Sequence, residues 1–217
     1  MTEELGRVTT VDALVTSLRQ RILSGAFPAG SKLQEVPLSE SYGVGRYSLR
    51  GALRILTDEG LLRYEQNRGV FVPSLAREDV EDLFRFRAAL EVEAARLAVQ
   101  SNASLAAAEA MVGRLESMEL DVPWAEATTA DLGFHREVVR AAGSMRLLRA
   151  FTAMSSELQF ALARSQELYI DPQRIGREHR EILEALKSGD SQAAEAALRY
   201  HLEVASQELF DLFDPAT

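Results

Sequence analysis

The pattern of apolar residues changes once along the chain, near residue 74, and this change limits the folds that the chain can adopt. Before it, short apolar elements are separated by Gly and Pro. After it, apolar residues recur at helical spacing over long stretches, with no alternating strand pattern. The sequence therefore predicts a small mixed domain over residues 1–73, a linker over 74–77 and an all-helical, six-helix domain over 78–217.

The two parts also differ in charge. Residues 1–77 carry 10 Lys and Arg against 8 Asp and Glu, whereas residues 78–217 carry 14 against 25. Only the first part is suited to an anionic partner, although well-solvated acidic helices would give the same asymmetry. The chain has no cysteine, no long apolar run and no leader-like segment, which predicts a cytoplasmic protein without disulfides or a membrane span.

The first part has the element order of a winged helix-turn-helix. Three helical periods, each closed by a glycine, precede two short strands joined by a turn. In such a fold the third helix can enter the major groove of DNA, and the hairpin forms the wing. The expected elements are helices at about 11–22, 37–42 and 46–59 and strands at 61–65 and 70–72.

Three arginines recur at every fourth residue of the third helix, on a face away from its apolar residues. Arginine reaches guanine edges and phosphates, hydroxyl groups donate to phosphates, and glycine lets a wing approach the backbone closely. An exposed basic helix without a partner is the alternative. The predicted DNA contacts are Arg46, Tyr47, Ser48, Arg50 and Arg54 on the helix, and Arg68 and Gly69 at the wing.

The helical part contains all three histidines of the chain, His135, His179 and His201, each on the apolar stripe of its helix. Asp131 precedes His135 by one helical turn. His179 and His201 lie equally far from Asp190 at a predicted helix–helix turn, so an antiparallel hairpin would bring them level. The four residues predict one divalent metal ion per chain, zinc first and nickel or manganese as alternatives. Separately satisfied core histidines are the competing interpretation.

Arg87 lies in the middle of the first apolar stripe of the helical part. A buried guanidinium requires an anion, so Arg87 is a candidate clamp for the carboxylate of a small effector. An internal ion pair with Glu91, four residues further on, explains the same position equally well.

These motifs resemble the GntR superfamily of bacterial transcription regulators, FadR-type (FCD) branch. The family usually has Ser-Arg-Thr-Pro-Val-Arg-Glu-Ala-Leu at the recognition helix, where residues 45–53 here are Gly-Arg-Tyr-Ser-Leu-Arg-Gly-Ala-Leu and keep both arginines. The FCD metal motif, Asp-x3-His followed by two distant histidines about 22 residues apart, matches Asp131, His135, His179 and His201. With six predicted helices, the second domain resembles that of the smaller, VanR-like subgroup.

The resemblance implies a DNA-binding transcription regulator (repressor or activator) and not an enzyme. It would act as a homodimer on palindromic operator DNA, and a small carboxylate bound next to the metal ion would control its affinity. A metal-dependent hydrolase or isomerase that uses the three-His/Asp centre is the alternative from another class. A third possibility keeps the DNA binding and gives the metal a purely structural role.

Overall fold

The structure, a computed structural model, describes residues 9–163 and 171–211, and predictions for residues outside these ranges lie beyond it. The chain divides into two compact units between Ser74 and Leu75. This division falls inside the predicted linker, although Arg77 at the linker's end already begins a helix.

The first unit, here called the DNA head, has the predicted order of three helices and a hairpin. Its elements are α1 (Thr10–Leu23), β1 (Lys32–Leu33), α2 (Glu35–Tyr42), α3 (Arg46–Asp58), β2 (Arg63–Glu65) and β3 (Gly69–Phe71). The strand β1 has no counterpart in the sequence prediction. Two residues are too short to show an alternating pattern, and only the pairing of Leu33 with Val70 makes them a strand.

The core of the DNA head is formed by one apolar face each of α1 and α3, which pack against each other. Leu18 and Ile22 are buried on α1, and Leu49, Leu53 and Leu56 are buried on α3. The helix α2 ends at Gly43, whose left-handed backbone (φ 62°) satisfies the last carbonyls of the helix. Because the buried leucines of α3 face this core, the polar face of α3 is directed away from it, as predicted.

The second unit is an all-helical bundle in the described residues, which confirms the predicted fold class. Its helices are α4 (Arg77–Gln100), α5 (Ala106–Glu116), α6 (Trp124–Ala141), α7 (Met145–Ala163), α8 (Pro172–Lys187) and α9 (Ser191–Asp211). No helix in the described ranges is long and apolar enough to serve as a membrane span.

The helix α4 is the centre of the bundle and packs against α6, α7 and α9. Phe84 and Leu90 of α4 lie in a buried cluster with Phe151 and Leu158 of α7. A second cluster joins α5, α6, α8 and α9 around the buried Phe134. Asp190 caps the start of α9, so α8 and α9 form the predicted hairpin around Gly189.

The helices α5 and α8 approach each other closely at Gly176. A Cβ atom at this position would lie 2.9 Å from the backbone nitrogen of Glu116 and 3.2 Å from Cβ of Leu115. The contact atom is backbone, so it cannot move aside as a flexible side chain would. The spacing of these two helices therefore requires a residue without a side chain.

We expect Gly176→Ala to lower the free energy of unfolding by about 1–3 kcal/mol, because the added methyl group overpacks the α5–α8 contact. The matched control is Gly113→Ala in α5, where a Cβ atom meets nothing within 4 Å. This control should be neutral or stabilise the chain by up to about 1 kcal/mol, since alanine favours the helix. Urea unfolding of both variants measures the difference, and equal stabilities would contradict the close contact.

Candidate DNA surface and metal centre

The recognition helix α3 presents its polar residues to solvent at its N-terminal end. Arg46 and Arg50 are exposed, Ser48 is half-buried, and Tyr47 is 92% exposed. Arg54 continues the same face one turn later. Arg68 lies in the turn of the hairpin, and Gly69 follows with φ 107°, which an L-residue with a side chain rarely adopts.

Three of these arginines each pair with a different carboxylate of the DNA head. Arg50 donates from Nε to Glu35 at 2.7 Å, Arg54 lies 3.8 Å from Asp58, and Arg68 pairs with Glu65. Exposed ion pairs contribute little to stability, because water screens them, so phosphates can replace these carboxylates at low cost. The Nε contact leaves both Nη groups of Arg50 available, which is the edge that binds guanine bidentately.

A groove runs between α3 and the hairpin, and two residues in or beside it, Tyr64 and Lys32, are not among the predicted DNA contacts. Tyr64 of β2 is 62% exposed and lines this groove together with Arg50, Arg54 and Arg68. Lys32 of β1 lies over the wing, with its Cε atom 3.1 Å from the position of a Cβ atom on Gly69. Tyr64 could have been noticed as an aromatic residue in a solvent-facing strand position, whereas Lys32 is brought to the wing only by the pairing of β1 with β3.

In the helical bundle, the structure brings all four predicted metal ligands together. Nε2 of His179 lies 3.0 Å from Nε2 of His135 and 3.3 Å from Oδ1 of Asp131. His201 completes the group, its ring centre 4.7 Å from that of His179. One ligand atom from each of the four residues lies within 4.8 Å of the others.

These separations suit a single divalent ion. The distances of 3.0 and 3.3 Å are short enough for both pairs of atoms to bind one ion at about 2.1 Å. Ligands on opposite sides of one ion are about 4.2 Å apart, so inward shifts of a few tenths of an ångström bring all four into reach. Nitrogen and carboxylate ligands together are the donor set of zinc and similar borderline ions.

The burial of the four residues sets their protonation. Burial lowers the pKa of His135, His179 and His201 well below the usual histidine value, so the rings are neutral and offer lone pairs. Burial raises the pKa of Asp131 to about 7, against the opposing attraction of Arg87. A proton on Asp131 thus compensates for the low-polarity surroundings when no metal ion is present.

Glu91 of α4 supports the site from behind, a role that the sequence analysis did not assign to it. One of its oxygens lies 2.6 Å from Nδ1 of His135, and the other accepts from Nε of Arg87 at 2.6 Å. Both Glu91 and Arg87 are buried. A hydrogen bond from Nδ1 to Glu91 places the lone pair of His135 on Nε2, toward Asp131 and His179.

The contacts of Arg87 agree with both interpretations of its position, the internal ion pair with Glu91 and the effector clamp. Its Nε is used by Glu91, as the internal ion pair requires, whereas its Nη2 is buried and has no hydrogen-bond partner among the described residues. Arg87 also lines a small cavity beside Asp131 and His201. An unpartnered guanidinium nitrogen next to a cavity is suited to bind an anion there.

Comparisons with known proteins identify both units. Residues 10–72 match the family described as "Bacterial regulatory proteins, gntR family", and residues 82–204 match the "FCD domain". The chain is 32% identical, over 92% of its length and 88% of the relative, to the "Probable D-xylose utilization operon transcriptional repressor" of Paenarthrobacter nicotinovorans. It is 25% identical, over 96% and 88%, to the "Gluconate operon transcriptional repressor" of Bacillus licheniformis.

Solved structures are similar in fold to most of the chain. A GntR transcriptional regulator from Rhodococcus sp. RHA1 superimposes with a TM-score of 0.74 at 24% identity, covering 92% of this chain and 96% of that one. McbR/YncC of E. coli superimposes with a TM-score of 0.71 at 19% identity, covering 95% and 100%. At this level of identity the comparison concerns the fold alone.

The raised pKa of Asp131 predicts that metal binding depends on pH. Below about pH 7 Asp131 is protonated and the histidines are neutral, so an entering zinc ion has to displace one proton. We expect the zinc affinity of the chelator-treated chain to fall about tenfold per pH unit below pH 7 and to change little above it. Competition with a zinc indicator between pH 5.5 and 8 measures this.

The control for this prediction is Asp131→Asn. The amide cannot titrate, so the variant should bind zinc more weakly at pH 8 and lose most of the pH dependence. A wild-type affinity that stays constant from pH 5.5 to 7 would show that Asp131 gives up no proton to the ion and would contradict its raised pKa.

Proposed function

Since the chain belongs to the gntR family of bacterial regulatory proteins and carries an FCD domain, we propose that it is a cytoplasmic, homodimeric repressor whose affinity for palindromic operator DNA is controlled by a small carboxylate bound beside a zinc ion. DNA-binding transcription regulation follows from the family itself. The dimer, the metal ion and the effector are the parts that this proposal adds.

The α3 face and the wing support the DNA part of the proposal. Arg46 makes no ion pair with the described residues, and Arg50 keeps two nitrogens available beyond its contact with Glu35. One DNA head covers about half of an operator, and two heads related by a twofold axis match a palindrome. Tyr47 and Ser48, which replace other residues of the usual family motif, add hydroxyl groups at the same helix end.

The effector part rests on one observation: Arg87, whose Nη2 is unpartnered among the described residues, lines a small cavity together with Asp131 and His201 of the four-residue cluster. A bound divalent ion would supply a Lewis-acidic position for one carboxylate oxygen. Arg87 can hold the second oxygen of the same carboxylate, and the apolar walls of the cavity exclude water from this contact. A ligand held in this way changes DNA binding if it prefers one of the two states of the dimer.

The enzymatic alternative has less support. Of the other carboxylates near the centre, Glu91 is engaged at both oxygens by Arg87 and His135, and Glu178 is engaged at one oxygen by Arg174. The relatives that cover most of the chain are named as regulators. A purely structural metal ion would leave the buried Nη2 of Arg87 without a function, so the effector-binding reading is preferred.

For DNA binding, we expect Arg46→Ala and Arg50→Ala each to weaken operator affinity by about 1–3 kcal/mol, because each removes contacts to bases or phosphates. The measurement is a gel shift on the DNA upstream of the protein's own gene over a range of salt concentrations. The control Arg114→Ala removes the same charge from an exposed position on α5. Unchanged affinity in both α3 variants would refute the assignment of this surface.

For the effector, Arg87→Lys is the sharpest variant. Lysine keeps a cation beside Glu91, so metal binding and folding should persist, whereas the guanidinium nitrogen that faces the cavity is lost. We expect zinc content to stay at one ion per chain and the carboxylate concentration that releases DNA to rise at least about tenfold.

Elemental analysis and a panel of small carboxylates in the gel shift provide the two measurements. The control Arg85→Lys alters an exposed arginine of α4 that pairs with Asp82. A normal response of the Arg87→Lys protein to the carboxylate would refute the role of Arg87 as a clamp. A chain purified without chelator that contains no stoichiometric metal would refute the metal site.

A further inference from the structure

The cavity beside the candidate metal centre is lined by two polar residues that neither the metal site nor the clamp uses, Thr128 of α6 and Glu178 of α8. Glu178 directly precedes His179 in the chain, and its side chain, which is 29% exposed, lies at the rim of the cavity. The rest of the wall is apolar and includes Ile175 and Leu209. The polar atoms of this cavity are therefore few, and their hydrogen-bonding capacity can be followed atom by atom.

Glu178 has one oxygen that remains available as an acceptor. Its Oε1 accepts from Nε of Arg174 at 2.8 Å, whereas its Oε2 lies 3.9 Å from Nδ1 of His201, beyond hydrogen-bond distance. Thr128 donates its hydroxyl hydrogen to a backbone carbonyl of its own helix, that of Trp124 or of Ala125, at 3.2 Å. Toward the cavity, the threonine oxygen can therefore only accept.

The cavity is thus lined by one residue with an unpartnered donor and two residues with acceptors. The donor is the buried, unpartnered Nη2 of Arg87, and the acceptors are Oε2 of Glu178 and Oγ1 of Thr128. A ligand that satisfies all of them carries a carboxylate for Arg87 and a hydroxyl or amino group for Glu178. A second carboxylate would instead face the negative charge of Glu178 in a cavity with largely apolar walls, where repulsion is weakly screened.

We propose that the effector is a compact monocarboxylate with a hydroxyl or amino substituent, and that Glu178 selects it over unsubstituted acids and dicarboxylates. This inference rests on the proposed function, because it concerns the same effector site. It adds the chemical class of the ligand and the residue that discriminates. The cavity is small, which restricts the ligand to a compact skeleton.

Four three-carbon acids test this inference, since they share a skeleton and differ only in the substituent. Lactate carries a hydroxyl group, alanine an ammonium group, propionate neither, and malonate a second carboxylate. Their affinities are measured by calorimetry on the full-length, zinc-loaded chain. We expect lactate or alanine to bind about 10- to 100-fold more tightly than propionate and malonate, the range that one hydrogen bond to a charged group supplies.

Two variants of Glu178 assign the selectivity to this residue. Glu178→Gln keeps an acceptor but removes the charge. The affinities for malonate and propionate should therefore become similar, and any preference for alanine over propionate should fall more than the preference for lactate. Glu178→Ala removes the acceptor, and the preference for lactate over propionate should be lost. The matched control Glu181→Gln removes an exposed charge from the same helix and should change nothing.

Each outcome has a defined meaning. Malonate binding at least as tightly as lactate, or a Glu178→Ala protein that keeps the wild-type preferences, would overturn the inference while leaving the metal and clamp intact. If the zinc-loaded chain binds none of the four acids, the carboxylate site itself fails, and the inference fails with it. Thermal unfolding of each variant verifies that the bundle is intact, since Arg174 retains its second partner, Glu208.

Discussion

The carboxylate of Glu91, buried in the helical bundle, is the contact on which the other parts of the site depend. Its two oxygens are bound 2.6 Å from Nε of Arg87 and 2.6 Å from Nδ1 of His135. Burying an ion pair is costly, and removing one partner of such a pair typically destabilises a protein by about 3–5 kcal/mol. The arrangement persists because both oxygens are satisfied. It fixes which nitrogen of His135 faces the metal centre and holds the guanidinium of Arg87 at the edge of the cavity.

One network therefore connects the metal centre with the cavity. The candidate metal ligand His135 lies on α6, whereas Arg87 lies on α4. Glu91, also on α4, contacts both side chains and so joins the two helices. A ligand that binds Arg87 acts on the helix that directly follows the DNA head in the chain. A preference of the ligand for one arrangement of α4 is thus a physical route by which binding can bias DNA affinity.

The ion pairs of the DNA head differ from this buried pair in strength and consequence. Arg50 and Arg54 are largely exposed, and their carboxylate partners can be exchanged for phosphates because water already weakens the attraction. The buried pair of the bundle is not exchangeable in this way. The buried ion pair of the bundle suits a preformed ligand site. The exposed, exchangeable ion pairs of the DNA head suit a reversible contact with nucleic acid.

Periodicity alone determined which residues face inward: the apolar stripes gave the helices, and they singled out Arg87 and the three histidines because a polar residue on such a stripe needs a partner. The equal distance of His179 and His201 from the α8–α9 turn also predicted that these rings meet. The sequence could not assign the partners contributed by other helices. Glu91 reaches His135 across 44 residues of chain, and Lys32 reaches the wing only because β1 pairs with β3. A helical period specifies the face of a residue but not the height or rotation of the neighbouring helix. Side-chain packing between helices decides both, and so only the tertiary structure placed Glu178 and Arg87 at one cavity.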